Sequence, residues 1–409
     1  MTFRFQAKRA FEDRARLWST TFVFPYALAA SDLDPSVPMP PDPALPRTRA
    51  ALEAGIAEGL HLGAQLYASI RGEPVFDGAI GESRPGVALR PSDLMIWLSA
   101  GKPVAAVAIG QLWERGLLGL DDPVARHLPE FAAHGKERIT IRHLLTHTGG
   151  IRMLSIGWPE LSFQEVVAKI CAMKPEPRWE PGRKAGYHHA SSWFVLGGIV
   201  ERLAGRPFER TVREEIFEPL RMADSWIGMP AAAYAAYRAA ERLAPAWNTE
   251  KPGAPSHGFE AEAQVVSCSP GGNGWGPARE LARFYEMLLG EGSLRGAEIL
   301  KPQTVAALTA RHRVGMFDHT FRHEMDWGLG FILDGKRHGP DTVPYGYGHS
   351  CSLRTFGHSG YRSATAFADP ENALAVALIP NGTPSQEAHE RRTRAVLDAL
   401  YADLGLAES

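Results

Sequence analysis

The sequence predicts an α+β fold, in which an antiparallel sheet drawn from both ends of the chain is flanked by helices and an all-helical lobe is inserted between the two sheet-forming parts. Three observations carry this. The alternating runs GAQLYASI (63–70) and EPVFDGAIG (73–81) read as a hairpin turned at Arg71-Gly72. The final third returns to short apolar runs, WGLGFIL, SATAFAD and ALAVALIPN, of strand type. Between them helical periodicity dominates, and strands at both ends with helices between favour segregated layers. The expected division is an N-terminal extension over 1–45, a discontinuous sheet domain made of 46–120 and 271–409, and a helical lobe over 121–270.

In chain order, residues 1–45 combine a short amphipathic stretch with DLDPSVPMPPDPALP, whose prolines favour an extended connector. A helix is expected from Arg49 to Gly59, then the hairpin. The stretch Trp97–Gly116, WLSAGKPVAAVAIGQLWERG, reads as a helix starting at or just before Ser99. From Val104 to Trp113 only Gly110 and Gln111 are not apolar, so this helix should be buried nearly all round. Pro103 fits its first turn, where backbone N–H groups lack intrahelical partners, and Gly116 suits its end. LLGLDDPVARHLPEF and ITIRHLLTHTGGI carry turn and capping residues. Clearer helices follow in LSFQEVVAKICAM, SSWFVLGGIVERLAG, FERTVREEIFEPL, PARELARFYEMLLGEG and PQTVAALTA, and SQEAHERRTRAVLDALYADLG closes the chain.

With 409 residues, 44% hydrophobic and 22% charged content and a formal charge of -2, the chain has the composition of a soluble globular protein. No basic excess points to nucleic acid. No run of about 18 apolar residues suggests a membrane span, and the opening residues mix acids with bases, unlike a signal peptide. Cys171, Cys268 and Cys351 are too few and too scattered for a disulfide framework or zinc site, which points to free thiols and a cytoplasmic location. No cofactor motif stands out.

The chemistry centres on Ser99-Ala100-Gly101-Lys102. Residues three apart share a helix face, so the Lys102 amine can approach the Ser99 hydroxyl. A bare S-x-x-K is a common pattern, and alone it reads as a helix cap followed by a solvated lysine. Here it opens a buried helix, where burial lowers a lysine pKa and frees the amine as a base. The helix start also presents N–H groups and a positive dipole end to an oxyanion.

With these residues, and with LGLDDPVARHLPEF, ITIRHLLTHTGGI, PGRKAGYHH, VLGGIVERLAG, GPARELARFYEMLLGEG, WGLGF and FGHSGYRSATAFADPENALAVALIPN following in order, the chain resembles the serine beta-lactamase and penicillin-binding-protein-like superfamily. The likeness is to its class C and esterase branch and runs from about residue 50 to 385. The resemblance implies the beta-lactamase-like fold, Ser99 as nucleophile, and Tyr187 as the general base or acid beside Lys102, the two sharing one proton that either can hold. His188 and His189 follow Tyr187. His189 stands where the family usually has asparagine, and one extra residue precedes Val195, departures that weaken a lactamase reading. His358-Ser359-Gly360 matches the third motif, with His189, His358, Ser359 and Gly360 on the substrate side and the Ser99 and Tyr361 amides as oxyanion donors. His358 in place of lysine is expected to be a weaker, pH-dependent cation that orients substrate.

Rival constellations are weaker. Gly348-His349-Ser350-Cys351-Ser352 lacks the closing glycine of a nucleophile elbow. His143 and His147 are four apart without the glutamate of a zinc protease, and read as cap or core residues. His147-Thr148-Gly149 reads as a structural turn, and His257 and His349 lie on glycine-containing loops. The expected activity is cleavage of a small-molecule carboxylic ester or amide through an acyl-enzyme, with water as acceptor. Alternatives are a transacylase using an amine or alcohol acceptor, a beta-lactamase or D-peptidase, and a non-catalytic binding protein on the same scaffold.

Overall fold

The structure is a computed structural model that describes residues 45–152, 155–339 and 346–407; the expected N-terminal extension, save Leu45, lies outside them. Seven strands form one antiparallel sheet, in which the late strands lie on one side and the early strands on the other. The strands are β1 (Gly63–Ile70), β2 (Glu73–Arg84) and β3 (Val87–Ala88) from the early chain, and β7 (Ile332–Leu333), β8 (Phe356–Ser359), β9 (Thr365–Asp369) and β10 (Leu374–Pro380) from the late chain. The two parts meet where β1 pairs β10, from Ala64 opposite Pro380 to Ile70 opposite Leu374. Of WGLGFIL, only Ile332–Leu333 is strand.

Alternation of side chains divides the core between the two faces of this sheet. On one face Leu66, Phe367, Val376 and Leu378 pack with Leu52 of α1 (Pro46–Ala57) and with Val396, Leu397 and Tyr401 of the C-terminal helix Gln386–Asp403. On the other, Ala366, Ala368, Ala375, Ala377 and Ile379 lie in the same core as Leu281, Ala282 and Tyr285 of the helix Ala278–Leu289. Both faces are covered, which is why the late strands read as continuous apolar runs. The helix α1 starts at Pro46, three residues before the expected Arg49, because proline is suited to the first helical position.

The central helix α2 (Lys102–Glu114) is preceded by a 3₁₀ turn, Ser99–Gly101. Its residues from Lys102 to Leu112 are all buried, as its sequence implied, and Gly116 follows with φ +68°. Trp97 and Leu98, which open the apolar stretch just ahead of the expected helix start at Ser99, end β4 (Met95–Leu98). That strand belongs to a small antiparallel sheet in the order β4-β6-β5, with β5 at Trp226–Ile227 and β6 at Gly274–Gly276. It ties residues from the expected helical lobe to the central segment. Its cause is local packing: a Cβ on Gly274 or Gly276 would come within 2.6 Å of the Trp97 indole, so the bare backbone of β6 lies on that ring. The indole N–H donates to Gly276 O at 3.0 Å.

Candidate active site

At the end of β4, Leu98 has φ +52° and ψ −135°, a conformation side-chain-bearing residues rarely adopt, which costs on the order of 1–3 kcal/mol. The kink turns the chain from strand into the 3₁₀ turn and sets Ser99 at the mouth of α2. Ser99 is half-buried, whereas Lys102, one turn inward, is 0% exposed. Lys102 Nζ lies 2.8 Å from Ser99 Oγ and donates to Gly271 O at 2.5 Å. Its remaining neighbours are aromatic: Nζ is 5.2 Å from the Tyr187 ring centre and 5.7 Å from that of Trp193. Among the described residues no carboxylate forms an ion pair with it, and burial pushes its ammonium well below the usual lysine range.

Tyr187 is buried and its backbone is held from outside its own segment. Asp318 Oδ1 accepts from Tyr187 N–H at 3.2 Å, and Thr320 Oγ1 donates to Tyr187 O at 3.2 Å. Asp318 is itself paired with the fully buried Arg313 at 2.9 Å, whose guanidinium lies over Trp327. The phenol ring contacts His147 at 4.7 Å, Phe321 at 4.9 Å and His189 at 5.1 Å between ring centres. His189 is exposed; its crowded surroundings and the Lys102 ammonium lower its basicity, against an opposing pull from Asp318.

Strand β8 brings His358 and Ser359 to the same region. The chain then passes β4 so closely that a Cβ on Gly360 would sit 2.5 Å from Trp97 O and 3.0 Å from Leu98 Cβ. Only glycine permits that approach beside the Ser99 turn. Tyr361 follows and is 50% exposed, with the Arg362 guanidinium over its ring. His358 differs from the expected pH-dependent cation. It is buried, its Nδ1 is 2.9 Å from Ser359 O, and burial, with Lys102 nearby, depresses its pKa to about 3. It is therefore a neutral ring at any ordinary pH.

The structure thus brings Ser99, Lys102, Tyr187 and the His358–Gly360 segment together, with His189 against the outer side of Tyr187. Several partners were not singled out in the sequence. Gly271 O lies in the run Gly271-Gly272-Asn273-Gly274, whose glycine density is the only local signal. Arg313 and Asp318 carry none. His147, read from the sequence as a cap, core or turn residue, and His188, to which no role was given, are both fully buried beside Tyr187. His143 is a capping residue: its ring accepts from Thr140 N–H at 3.2 Å. His257 bonds Thr383, and His349 pairs with Asp398 at 2.7 Å. All three cysteines are free. No helix among the described residues is long and apolar enough to cross a membrane.

This fold, with a serine and lysine one turn apart at the mouth of a buried helix, defines a class, and the comparisons agree with it. The family model Beta-lactamase matches residues 48–401, and the chain belongs to that family. It is similar to the esterase/beta-lactamase LipL of Mycobacterium tuberculosis, 27% identical over 347 residues that cover 78% of this chain and 77% of that one. It is also similar to esterase EstB of Burkholderia gladioli, 27% identical with 87% and 95% covered. Among solved structures, a penicillin-binding protein homologue from Caulobacter crescentus superposes with a TM-score of 0.73 at 30% identity, covering 89% and 98% of the two chains. A family VIII carboxylesterase does so with 0.74 at 26%, covering 88% and 98%.

Proposed function

We propose that the protein is a serine hydrolase that cleaves a small-molecule carboxylic ester or amide through an acyl-enzyme, with Ser99 as nucleophile. The observation that carries this reading is the 2.8 Å approach of a fully buried, anion-free lysine to the Ser99 hydroxyl. Gly271 O takes one N–H of the neutral amine, which leaves its lone pair for the serine proton. In the first step Ser99 Oγ bonds the substrate carbonyl carbon as its proton passes to the Lys102/Tyr187 pair. The Ser99 and Tyr361 N–H groups are assigned to the oxyanion. Collapse breaks the bond to the leaving group, which departs with that proton. Water then attacks the acyl-enzyme, gives its proton to the same pair, and restores Ser99.

Ester or amide substrates without a carboxylate beside the scissile bond are favoured over beta-lactams and D-peptides. The third-motif position holds a neutral, buried imidazole instead of a cation, and the similar EstB protein is named an esterase. The test is mass spectrometry after fluorophosphonate treatment, together with turnover of a p-nitrophenyl ester and of a chromogenic cephalosporin. Labelling at Ser99 that vanishes in Ser99→Ala, with faster ester than cephalosporin turnover, supports the reading. An unlabelled protein at every pH points to a binding role. Adding amines during ester turnover separates water from other acceptors: amide product at high amine moves the assignment to transacylase.

A further inference from the structure

The backbone N–H groups around Tyr187 are engaged by two residues distant in sequence. Gly186 N–H donates to His147 O at 3.0 Å, Tyr187 N–H to Asp318 at 3.2 Å, and His188 N–H to His147 Nδ1 at 3.0 Å. His147 itself has φ +57°, which turns its carbonyl and its ring toward the same segment. The ring then rests against the Tyr187 phenol at 4.7 Å and the Trp327 indole at 4.4 Å.

These contacts fix protonation. An amide N–H only donates, so His147 Nδ1 presents its lone pair and the ring is the neutral Nε2–H tautomer. One step back, Ile151 N–H donates to His188 Nε2 at 3.1 Å, which leaves the His188 proton on Nδ1, 3.3 Å from His147 Nδ1. A charged His147 would set N–H against N–H. Burial opposes a charge there first, and the Arg313 guanidinium, which faces the ring together with His188, Lys102 and His358, opposes it further.

We propose that His147, with Asp318, is a positioning residue for Tyr187: its carbonyl holds the Gly186 N–H on one side of the tyrosine, its neutral ring holds the His188 N–H on the other, and the ring backs the phenol, presenting it to the Lys102 amine. This rests on the reading of Ser99, Lys102 and Tyr187 as acyl-transfer machinery. The test compares His147→Asn, which keeps an acceptor at the δ position, with His147→Gln, which fills more of the space but moves the acceptor to ε. His147→Asn is expected to keep kcat within about fivefold. His147→Gln is expected to lose roughly tenfold or more in kcat with KM little changed, and to alter the pH profile of kcat. Gln equal to or better than Asn, or a loss confined to KM, overturns the proposal, because the ring would then fill space or touch substrate. Fluorophosphonate labelling of the wild type keeps the two levels apart. No label at Ser99 sinks the catalytic reading, whereas a labelled enzyme whose two variants behave alike sinks only the role of His147. If neither variant folds, ring-nitrogen NMR of the wild type decides: the imidazole in contact with Tyr187 must be neutral Nε2–H from about pH 5 to about pH 9, and an Nδ1–H or charged ring there overturns it.

Discussion

Two lysines among the described residues are fully buried, Lys102 and Lys136, and they are built for opposite purposes. Lys136 Nζ donates to three carbonyls, Ala133 O at 2.6 Å, Cys171 O at 3.0 Å and Met173 O at 2.5 Å. Three acceptors match the three protons of an ammonium, so this lysine ties the turn before α3 (Ile141–Leu145) to the end of the helix Phe163–Ala172. Lys102 has one carbonyl and one hydroxyl, and a hydroxyl can give a proton as well as accept one. Burial lowers the pKa of both, but only at Lys102 is that shift pronounced. Burial alone therefore does not make a lysine a base; the number of obligate acceptors around it decides.

Substituting each lysine by methionine puts this contrast to its hardest test. Lys102→Met is expected to reduce ester turnover about a thousandfold or more, since the group that takes the serine proton is gone, while the protein still folds. Lys136→Met should leave turnover per folded molecule intact but lower unfolding free energy by roughly 2–4 kcal/mol, because buried carbonyls lose their donor. Turnover assays paired with urea unfolding check both, and exchanged outcomes would end the comparison. A smaller effect is expected at Gly360→Ala, whose Cβ would meet Trp97 O at 2.5 Å. Moving β8 away from the Ser99 turn should cost about ten- to a hundredfold in kcat, with both lysines undisturbed.

The same distinction explains which parts of the molecule could be read from the chain. Ser99 and Lys102 are three residues apart, so their proximity follows from helix geometry, and the burial of α2 follows from its run of apolar residues. The sheet from both ends was legible because β1, β9 and β10 are long enough to show strand character. What decides the state of Lys102, however, comes from far away. Gly271 O is 169 residues distant, three residues ahead of the short strand β6. The strand state of Trp97 is not legible, because tryptophan followed by leucine continues an apolar run equally well in either state; pairing with β6 makes it strand. His147 reads as a cap, core or turn residue and no more, because the His188 amide that its ring accepts from stands 41 residues further along the chain.

The buried histidines set the next expectation, a loss of stability in acid. His188 and His358 titrate near 3 in the folded protein, against 6.5 for an unperturbed ring. Between those values the unfolded chain binds protons that the native rings refuse, so stability falls as pH drops from about 6.5 toward 3. Urea midpoints measured across that range should decline, and His358→Gln should lessen the slope by about one proton.

Lys102 should leave a fainter mark on the alkaline side. Its folded pKa lies below the unfolded one, so in the interval between them the unfolded chain holds one proton more and stability rises with pH, up to the ordinary lysine value of about 10.4. Two sets of groups oppose that rise. The thiols of Cys171 and Cys351 are pushed up to about 11 and about 12, and the buried phenols of Tyr67, Tyr285 and Tyr401 are raised as well. Each stays protonated in the native state after its unfolded counterpart has ionised, so each withdraws stability as pH climbs. The net wild-type slope is thus a small difference of opposing contributions. The difference between wild type and Lys102→Met isolates the lysine, because every thiol and phenol is common to both. That difference should favour the wild type increasingly from about pH 8 to about pH 10, by close to one proton in slope. A flat difference would mean that Lys102 stays charged in the folded protein, and the contrast with Lys136 would lose its physical basis.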